Sequence, residues 1–262
     1  MRPLAELDPQ SCRALVGVAF DIDDTVTRGG RLELPAFQAM HELAGSGLHL
    51  IAVTGRPLGW ADVVAVHWPV VAAVGENGAG WVWRDGEIPR EGYFEPKQRR
   101  ATYPDLFDRV RRRVARELPH VRAAVDQRAR RCDLAFDVGE TVRLPAADVD
   151  AVVRLVEAEG ARSAVSSVHA HVIPGDWDKA RGIARAVRDA LGPETDLDKE
   201  RWLFIGDSAN DAPAFDYFPL SVGVSNVRDY LARLPTPPRF VTDADRGKGF
   251  AELARHLLGV RG

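Results

Sequence analysis

The hydrophobic positions of this chain fall into short, nearly continuous runs rich in Val, Ile, Leu and Phe. They lie at residues 16–20, 48–53, 70–74, 202–205, 221–224 and 240–241. Such runs, without polar alternation, are typical of strands buried on both faces of a parallel sheet. Between them lie helical patterns at residues 35–44, 58–67, 179–191, 211–217 and 250–258. This alternation predicts an α/β fold built on a doubly wound parallel sheet.

The alternation is interrupted between about residues 80 and 171. This stretch holds Trp81-Val82-Trp83, an Arg-rich helical pattern at residues 105–117, and strand-like runs at residues 132–138 and 163–168. We interpret it as an α+β cap domain, residues 81–171, that is inserted into a core domain made of residues 1–80 and 172–262.

The composition is that of an ordinary globular protein, with 45% hydrophobic and 28% charged residues among 262 and a formal net charge of −3. This charge provides no overall attraction to nucleic acid or an anionic membrane, so we expect neither as a partner. We find neither a run of about 18 apolar residues nor the apolar segment of a secretory leader. Cys12 and Cys132 lack the spacing of a metal site or a disulfide framework, which favours a cytoplasmic protein. The sequence does not indicate an oligomeric state.

Three carboxylates stand where the first apolar run ends, in the segment Asp21-Ile22-Asp23-Asp24-Thr25. Ligands bind at the carboxyl edge of parallel sheets. Clustered carboxylates repel one another unless a cation compensates them, so we expect Mg²⁺, which prefers oxygen ligands. The alternative is a structural role, in which these aspartates only cap a turn before a loop.

A second acidic cluster follows a later strand, Gly206-Asp207-Ser208-Ala209-Asn210-Asp211, and the two clusters can share one ion. Between them, Thr54 and Gly55 follow another strand, and Lys179 opens a helix. A hydroxyl, backbone amides and an ammonium group can together hold a phosphate. Each signal is weak alone, because most such residues are structural, and their order along the chain strengthens them.

These segments, in this order, resemble the motifs of the haloacid dehalogenase (HAD) superfamily. The matching residues are Asp21-Ile22-Asp23-Asp24-Thr25, Thr54, Lys179 and Gly206-Asp207-Ser208-Ala209-Asn210-Asp211. The insertion between the second and third motifs, led by Gly75-Glu76-Asn77-Gly78-Ala79, is similar to the Cof-like branch, although many of its members have glycine in place of Asp24. That branch includes sugar-phosphate phosphatases and phosphomannomutases. The resemblance covers nearly the whole chain.

The resemblance implies a Mg²⁺-dependent phosphatase of a small phosphorylated metabolite, such as a sugar phosphate. Asp21 would be the nucleophile that becomes phosphorylated. Asp23 would protonate the leaving oxygen and then activate water. The cap would supply substrate recognition and exclude water.

The resemblance also implies ligands for the metal ion and the phosphate. Mg²⁺ would be bound by the carboxylates of Asp21 and Asp207 and the backbone carbonyl of Asp23, with Asp211 supporting it through a water or an outer contact. Thr54, Gly55 and Lys179 would bind the phosphate, and Asn210 would orient the phosphate or Lys179.

Two other functions stay open at this level. A phosphomutase on the same scaffold would retain its phosphoryl group and require a bisphosphate. A catalytically idle phosphate-binding regulatory protein would bind Mg²⁺ and phosphate without turnover.

Several cap residues and Arg56 also leave alternatives. His169 and His171 alternate on one strand face and are more often a packed pair than metal ligands. Arg56 either orders its loop or contacts phosphate. The arginines at 128, 130 and 131 can close over an anionic substrate or have no part in binding it, and the sequence favours neither alternative. Those on the helix at 109–116 are best explained as a solvated face.

Overall fold

A computed structural model describes residues 1–192 and 197–261. Its strands are β1 (Arg2–Pro3), β2 (Gly17–Asp21), β3 (Thr27–Arg28), β4 (Arg31–Leu32), β5 (His49–Val53), β6 (Ala72–Gly75), β7 (Gly80–Asp85), β8 (Ile88–Tyr93), β9 (Leu134–Asp137), β10 (Arg162–Val165), β11 (His169–Ile173), β12 (Trp202–Gly206), β13 (Leu220–Gly223) and β14 (Phe240–Val241). Its α-helices are α1 (Pro9–Ala14), α2 (Leu34–Gly45), α3 (Leu58–His67), α4 (Lys97–Arg100), α5 (Tyr103–Glu117), α6 (Ala146–Ala158), α7 (Lys179–Leu191), α8 (Ala212–Tyr217) and α9 (Arg246–Arg261).

The large sheet has the strand order β1-β14-β13-β12-β2-β5-β6-β7-β8. Its strands run parallel from β1 to β6 in this order, and β7 and β8 are antiparallel. The central strands β2 and β12 are buried along their whole length, which is why they are continuous apolar runs. The predicted α/β fold with a doubly wound sheet is confirmed.

Helices cover both faces of this sheet. One core contains apolar side chains of α1, α2, α3 and α9, and the other contains those of α7 and α8. Phe20 of β2 packs on Phe250 of α9, while Phe204 of β12 packs on Phe215 of α8. The two cores hold the central strands rigidly, so their carboxyl ends provide a fixed platform.

The inserted segment forms a smaller α+β unit. Its antiparallel sheet has the order β10-β11-β9, and a separate core joins this sheet to α5 and α6. Val110 of α5, Val152 of α6 and Leu134 of β9 are fully buried there. We call this unit, which runs from α4 to β11, the insert.

The boundaries predicted for the insert differ from the observed pairing. Residues 80–93 form β7 and β8, which extend the large sheet, so the chain leaves that sheet only after Tyr93. The predicted boundary at residue 172 likewise falls inside β11. The Trp81-Val82-Trp83 pattern suggested a separate domain, but Trp81 and Val82 pack into the cores on opposite faces of the large sheet. Burial falls only toward the far end of β7.

Candidate active site

The acidic and phosphate-binding candidates meet at the carboxyl edge of the large sheet. Strand β2 lies between β12 and β5, with Phe20 opposite Ile205 and Asp21 opposite Val53. Asp21 ends β2, Thr54 follows β5, and Asp207 follows β12. Parallel pairing therefore brings three distant sequence segments to one place.

Lys179 joins the two acidic clusters. Its Nζ donates to Asp21 Oδ1 at 2.5 Å and to Asp211 Oδ1 at 2.6 Å, and its side chain is fully buried. Burial alone would lower the pKa of Lys179, but the two carboxylates raise it above its ordinary value. The Lys179 side chain is therefore a fixed positive charge beside Asp21.

Asp207 supplies an oxygen that has no partner among the described residues. Its Oδ2 accepts from Asn226 Nδ2 at 3.1 Å, whereas no donor reaches its buried Oδ1 within the residues that the structure describes. Burial and the neighbouring carboxylates of Asp21 and Asp211 raise the pKa of Asp207 well above its usual range. An unpartnered buried carboxylate oxygen is costly unless a cation compensates it.

These carboxylates fit a hard divalent cation. Ligand atoms of Asp21, Asp207 and Asp211 all lie within 4.8 Å of one another. Burial raises the pKa of Asp21, as do its acidic neighbours, against the opposing charge of Lys179. A bound cation would favour the ionised forms of Asp21 and Asp207. All-oxygen donors of this kind suit Mg²⁺.

Asp211 is largely used within its own turn. Its Oδ2 accepts from the backbone N–H groups of Asp207 at 2.9 Å and Ser208 at 3.0 Å. A Cβ on Gly206 would lie 2.5 Å from this oxygen, so only glycine allows the approach. Since Oδ1 already accepts from Lys179, Asp211 mainly orients Lys179 and the Asp207 loop.

Asp23 lies outside the carboxylate cluster and faces Arg56. Arg56 Nε and Nη2 donate to Asp23 Oδ1 at 3.0 and 2.9 Å, and Thr54 Oγ1 lies 3.4 Å from Asp23 Oδ2. Arg56 thus binds a candidate catalytic residue, and a contact of Arg56 with phosphate stays a prediction. The backbone carbonyl of Asp23 as a metal ligand stays a prediction.

In the described part of the chain, Asn210 forms hydrogen bonds with Ser208 and Asn77 rather than with Lys179. Its Nδ2 donates to Asn77 Oδ1 at 2.9 Å, and its Oδ1 accepts from Ser208 Oγ at the same distance. Asn77, which we did not single out as a site residue, has a buried Nδ2 with no partner in the described chain. It belongs to the segment before the insert, where it adopts a left-handed φ of 56°. The Asn77-Gly78 pair, a common turn signal, was the available sequence clue.

The insert closes over this edge of the sheet. A small cavity is lined by Asp21, Asp23, Gly55, Ser208 and Asn210 of the core and by residues 166–169 of the insert. A larger neighbouring cavity of about 530 Å³ lies in front of Asp23 and Arg56, with Glu140, Ser166 and Tyr230 on its wall. Sequence reasoning missed these insert residues, because polar loop positions carry no periodic signal.

Arg130 is buried within ion pairs rather than open to a substrate. It binds Asp126 and Asp133, and its Nη1 donates to the backbone oxygen of Gly55 at 2.8 Å. Arg131 pairs with Asp62 and Glu91 at the surface. Neither arginine is therefore a free anion receptor in this arrangement.

The paired histidines belong to the same polar network. His171 Nδ1 contacts Asp133 Oδ2 at 2.8 Å, and His169 Nε2 contacts Glu140 Oε2 at 2.9 Å. They do not join the carboxylate cluster that fits a metal. Most arginines of α5 form surface ion pairs with acidic residues at positions 108, 117 and 159, as a solvated face requires.

Solved structures share this fold. Protein 0175 of Thermoplasma acidophilum matches with a TM-score of 0.71 and 21% identity, covering 93% of this chain and 98% of that one. A Plasmodium vivax protein described as a HAD/Cof-like hydrolase matches with a TM-score of 0.69 and 15% identity, covering 97% of this chain and 100% of that one. Sucrose-phosphatase of Synechocystis, solved with sucrose and phosphate, matches with a TM-score of 0.65 and 14% identity, covering 94% of this chain and 98% of that one. A scan of protein-family models finds no match, and neither does a search of curated proteins.

The chain therefore has the fold of HAD phosphatases and hydrolases, including the inserted α+β unit. At the level of the fold, the predicted resemblance to the Cof-like branch is confirmed. The described helices are all too short or too polar to cross a membrane.

Proposed function

We propose that this protein is a Mg²⁺-dependent phosphomonoester hydrolase that acts on a small phosphorylated metabolite, a sugar phosphate, through an aspartyl-phosphate intermediate. The observation that carries the proposal is the buried group of Asp21, Lys179 and Asp207 at the carboxyl edge of the sheet. It combines a nucleophile, a fixed positive charge and a carboxylate oxygen that no donor of residues 1–192 and 197–261 reaches.

The first step assigns two roles to neighbouring aspartates. An oxygen of Asp21 bonds to phosphorus while the bond from phosphorus to the alcohol oxygen breaks, and Asp23 gives its proton to that oxygen. Thr54, Gly55 and Lys179 hold the oxygens of the transferring group. Mg²⁺ bound by Asp21 and Asp207 would screen the repulsion between the nucleophile and these oxygens.

The second step releases phosphate and restores the enzyme. Asp23 takes a proton from a water molecule as the water oxygen bonds to phosphorus, and Asp21 leaves as a carboxylate. The insert limits the access of other water to the small cavity, since residues 166–169 lie over Asp21 and Asp23.

The substrate class is supported by the larger cavity and by one structural neighbour. About 530 Å³ in front of Asp23 accommodates a leaving group of sugar size, and its wall carries polar groups such as Ser166, Ser167 and Tyr230. Sucrose-phosphatase, which shares the fold, was solved with sucrose and phosphate. A hydroxylated leaving group fits such a wall because it can both donate and accept hydrogen bonds.

The test is phosphate release from sugar phosphates, phosphoglycerate conjugates, nucleotides and an aryl phosphate, with Mg²⁺ or with EDTA. We expect release from wild type with Mg²⁺ only, and none from Asp21→Asn. Asp243→Asn, the same change at an exposed residue, is the control and should match wild type. Turnover by Asp21→Asn would remove the covalent step, and phosphoryl transfer only with a bisphosphate would make the protein a mutase.

A further inference from the structure

Glu140 of the insert reaches into the candidate active site. It lies on the loop that follows β9, and its Oε1 accepts from Arg56 Nη1 of the core at 2.5 Å. Its Oε2 contacts His169 Nε2 at 2.9 Å. Glu140 thus connects the insert to the arginine that holds Asp23.

Carboxylates of the core and of the insert fix the orientation of Arg56 from two sides. The Arg56 side chain is 3% exposed, with Asp23 on its Nε and Nη2 and Glu140 on its Nη1. A guanidinium group is planar and presents its donors in a rigid fork, so an anchor on one side sets the direction of the other. The position of the Asp23 carboxylate therefore depends on Glu140.

The loop that carries Glu140 is itself held in place. Asp137, the last residue of β9, accepts from the backbone N–H groups of Gly139, Glu140 and Thr141. On the other side, Arg130 Nη2 lies 3.3 Å from His169 Nδ1. Because arginine can only donate, the His169 proton is on Nε2, where it is donated to Glu140.

We propose that Glu140 is a positioning residue for the proposed acid catalyst: through Arg56, it holds the Asp23 carboxyl group where its proton can reach the leaving oxygen. This inference rests on the proposed function. Since Glu140 belongs to the insert and Arg56 to the core, Asp23 is positioned only when the insert is docked. Protonation of the leaving group is thereby coupled to closure of the site.

The surroundings of Glu140 favour its charged form. The hydrogen bond from His169 and the nearby Arg56 lower the pKa of Glu140 to about 2, against partial burial. Asp126, the other insert carboxylate near Arg56, lies farther from Nη1, at 3.4 Å, and mainly binds Arg130. Glu140 is thus the stronger anchor of the two.

The test uses the dependence of rate on the leaving group, which a purely structural role would not change. An alkyl phosphate needs its leaving oxygen protonated, whereas a nitrophenyl phosphate does not. General acid catalysis contributes on the order of 10² or more, so we expect Glu140→Gln to lower kcat for the alkyl ester about tenfold and for the nitrophenyl ester less than about twofold. Glu140→Ala should likewise lose more kcat on the alkyl ester than on the nitrophenyl ester.

Two comparisons complete the design. Glu157→Gln makes the same change at an exposed position of α6 and should leave both rates unchanged. In an Arg56→Met background, Glu140→Gln should have almost no further effect, because the two residues act in series. Thermal unfolding of each variant shows whether it is folded under the assay conditions.

Equal losses on both esters, unchanged rates, or additive effects with Arg56→Met would each overturn the positioning role. If wild type hydrolyses both esters and Glu140→Gln loses no more rate on the alkyl ester than on the nitrophenyl ester, only this inference is rejected. Wild type that releases phosphate from neither ester rejects the proposed function, and the role of Glu140 falls with it.

Discussion

At the scale of single residues, Asp207 places a carboxyl group in an unfavourable electrostatic environment. It is fully buried, and its Oδ1 has no donor in the described part of the chain. The carboxylates of Asp21 and Asp211 lie close by, and Lys179 is the cation that pairs with both of them. In the absence of a divalent ion, such an arrangement lowers the stability of the folded state.

Asp207→Asn should therefore stabilise the metal-free protein. The amide replaces a carboxyl group whose ionised form is costly at this position and places a donor near the remaining carboxylates, for an expected gain of about 1–3 kcal/mol in unfolding free energy. Urea unfolding in EDTA measures this gain, with Asp243→Asn as the control. A less stable Asp207→Asn protein would contradict the argument.

The same substitution should abolish stabilisation by Mg²⁺. An ion that binds only the folded state raises the unfolding temperature as its concentration rises. We expect this rise in wild type and none in Asp207→Asn, measured as thermal unfolding across a Mg²⁺ titration. A shift of equal size in both proteins would place the ion elsewhere.

At the scale of elements, a single carboxylate joins α3 to the insert. Glu76 is fully buried, and its Oε1 accepts from the backbone N–H groups of Leu58, at the start of α3, and of Arg131. Its Oε2 accepts from the backbone N–H groups of Cys132 and Asp133. The residues before β9 are thus tied to the start of a core helix through backbone hydrogen bonds to one buried carboxylate.

Glu76→Gln should weaken this junction strongly. The glutamine amide would face two backbone donors that then lose their acceptor, and each such loss costs about 1–3 kcal/mol. We expect a total loss of about 3 kcal/mol in unfolding free energy, measured by urea denaturation. Glu87→Gln, at a side chain 95% exposed, should change little, and a similar loss there would show that the junction is not the cause.

At the scale of the whole molecule, a buried polar network holds the insert on the core. Arg56 and Glu76 of the core and Arg130, Asp133 and His171 of the insert belong to it. Burial and nearby positive charges hold the pKa of His171 well below its ordinary value. His171 is therefore neutral in the folded protein, and its Nε2 has no partner among the described residues.

The stability of the fold should depend on pH through His171. The unfolded chain binds a proton at this position below pH about 6.5, whereas the folded protein does not, so its stabilising effect is complete above that pH and falls as the pH falls. The wild-type unfolding free energy should drop, relative to His171→Asn, by up to about 1.4 kcal/mol per pH unit. Urea unfolding between pH 7.5 and 5, values on either side of about 6.5, measures this difference. His120→Asn, at an exposed histidine, should keep the wild-type slope, and an unchanged slope in His171→Asn would refute the argument.

Much of the architecture and of the candidate site follows from the sequence alone. Buried parallel strands must be apolar throughout, so β2, β5 and β12 could be located within a residue or two. Polar residues that follow such strands meet at one edge, so the positions of Asp21, Thr54 and Asp207 along the chain were enough to predict that they lie together.

Only the tertiary structure decided the partners of those residues. Arg56 bonds to Asp23 and Glu140, and His171 bonds to Asp133, across separations of tens of residues in the chain. The membership of β7 and β8 in the large sheet was decided in the same way. Apolar periodicity records which face of an element is buried, whereas a polar contact depends on how the insert packs on the core, and no local pattern encodes that packing.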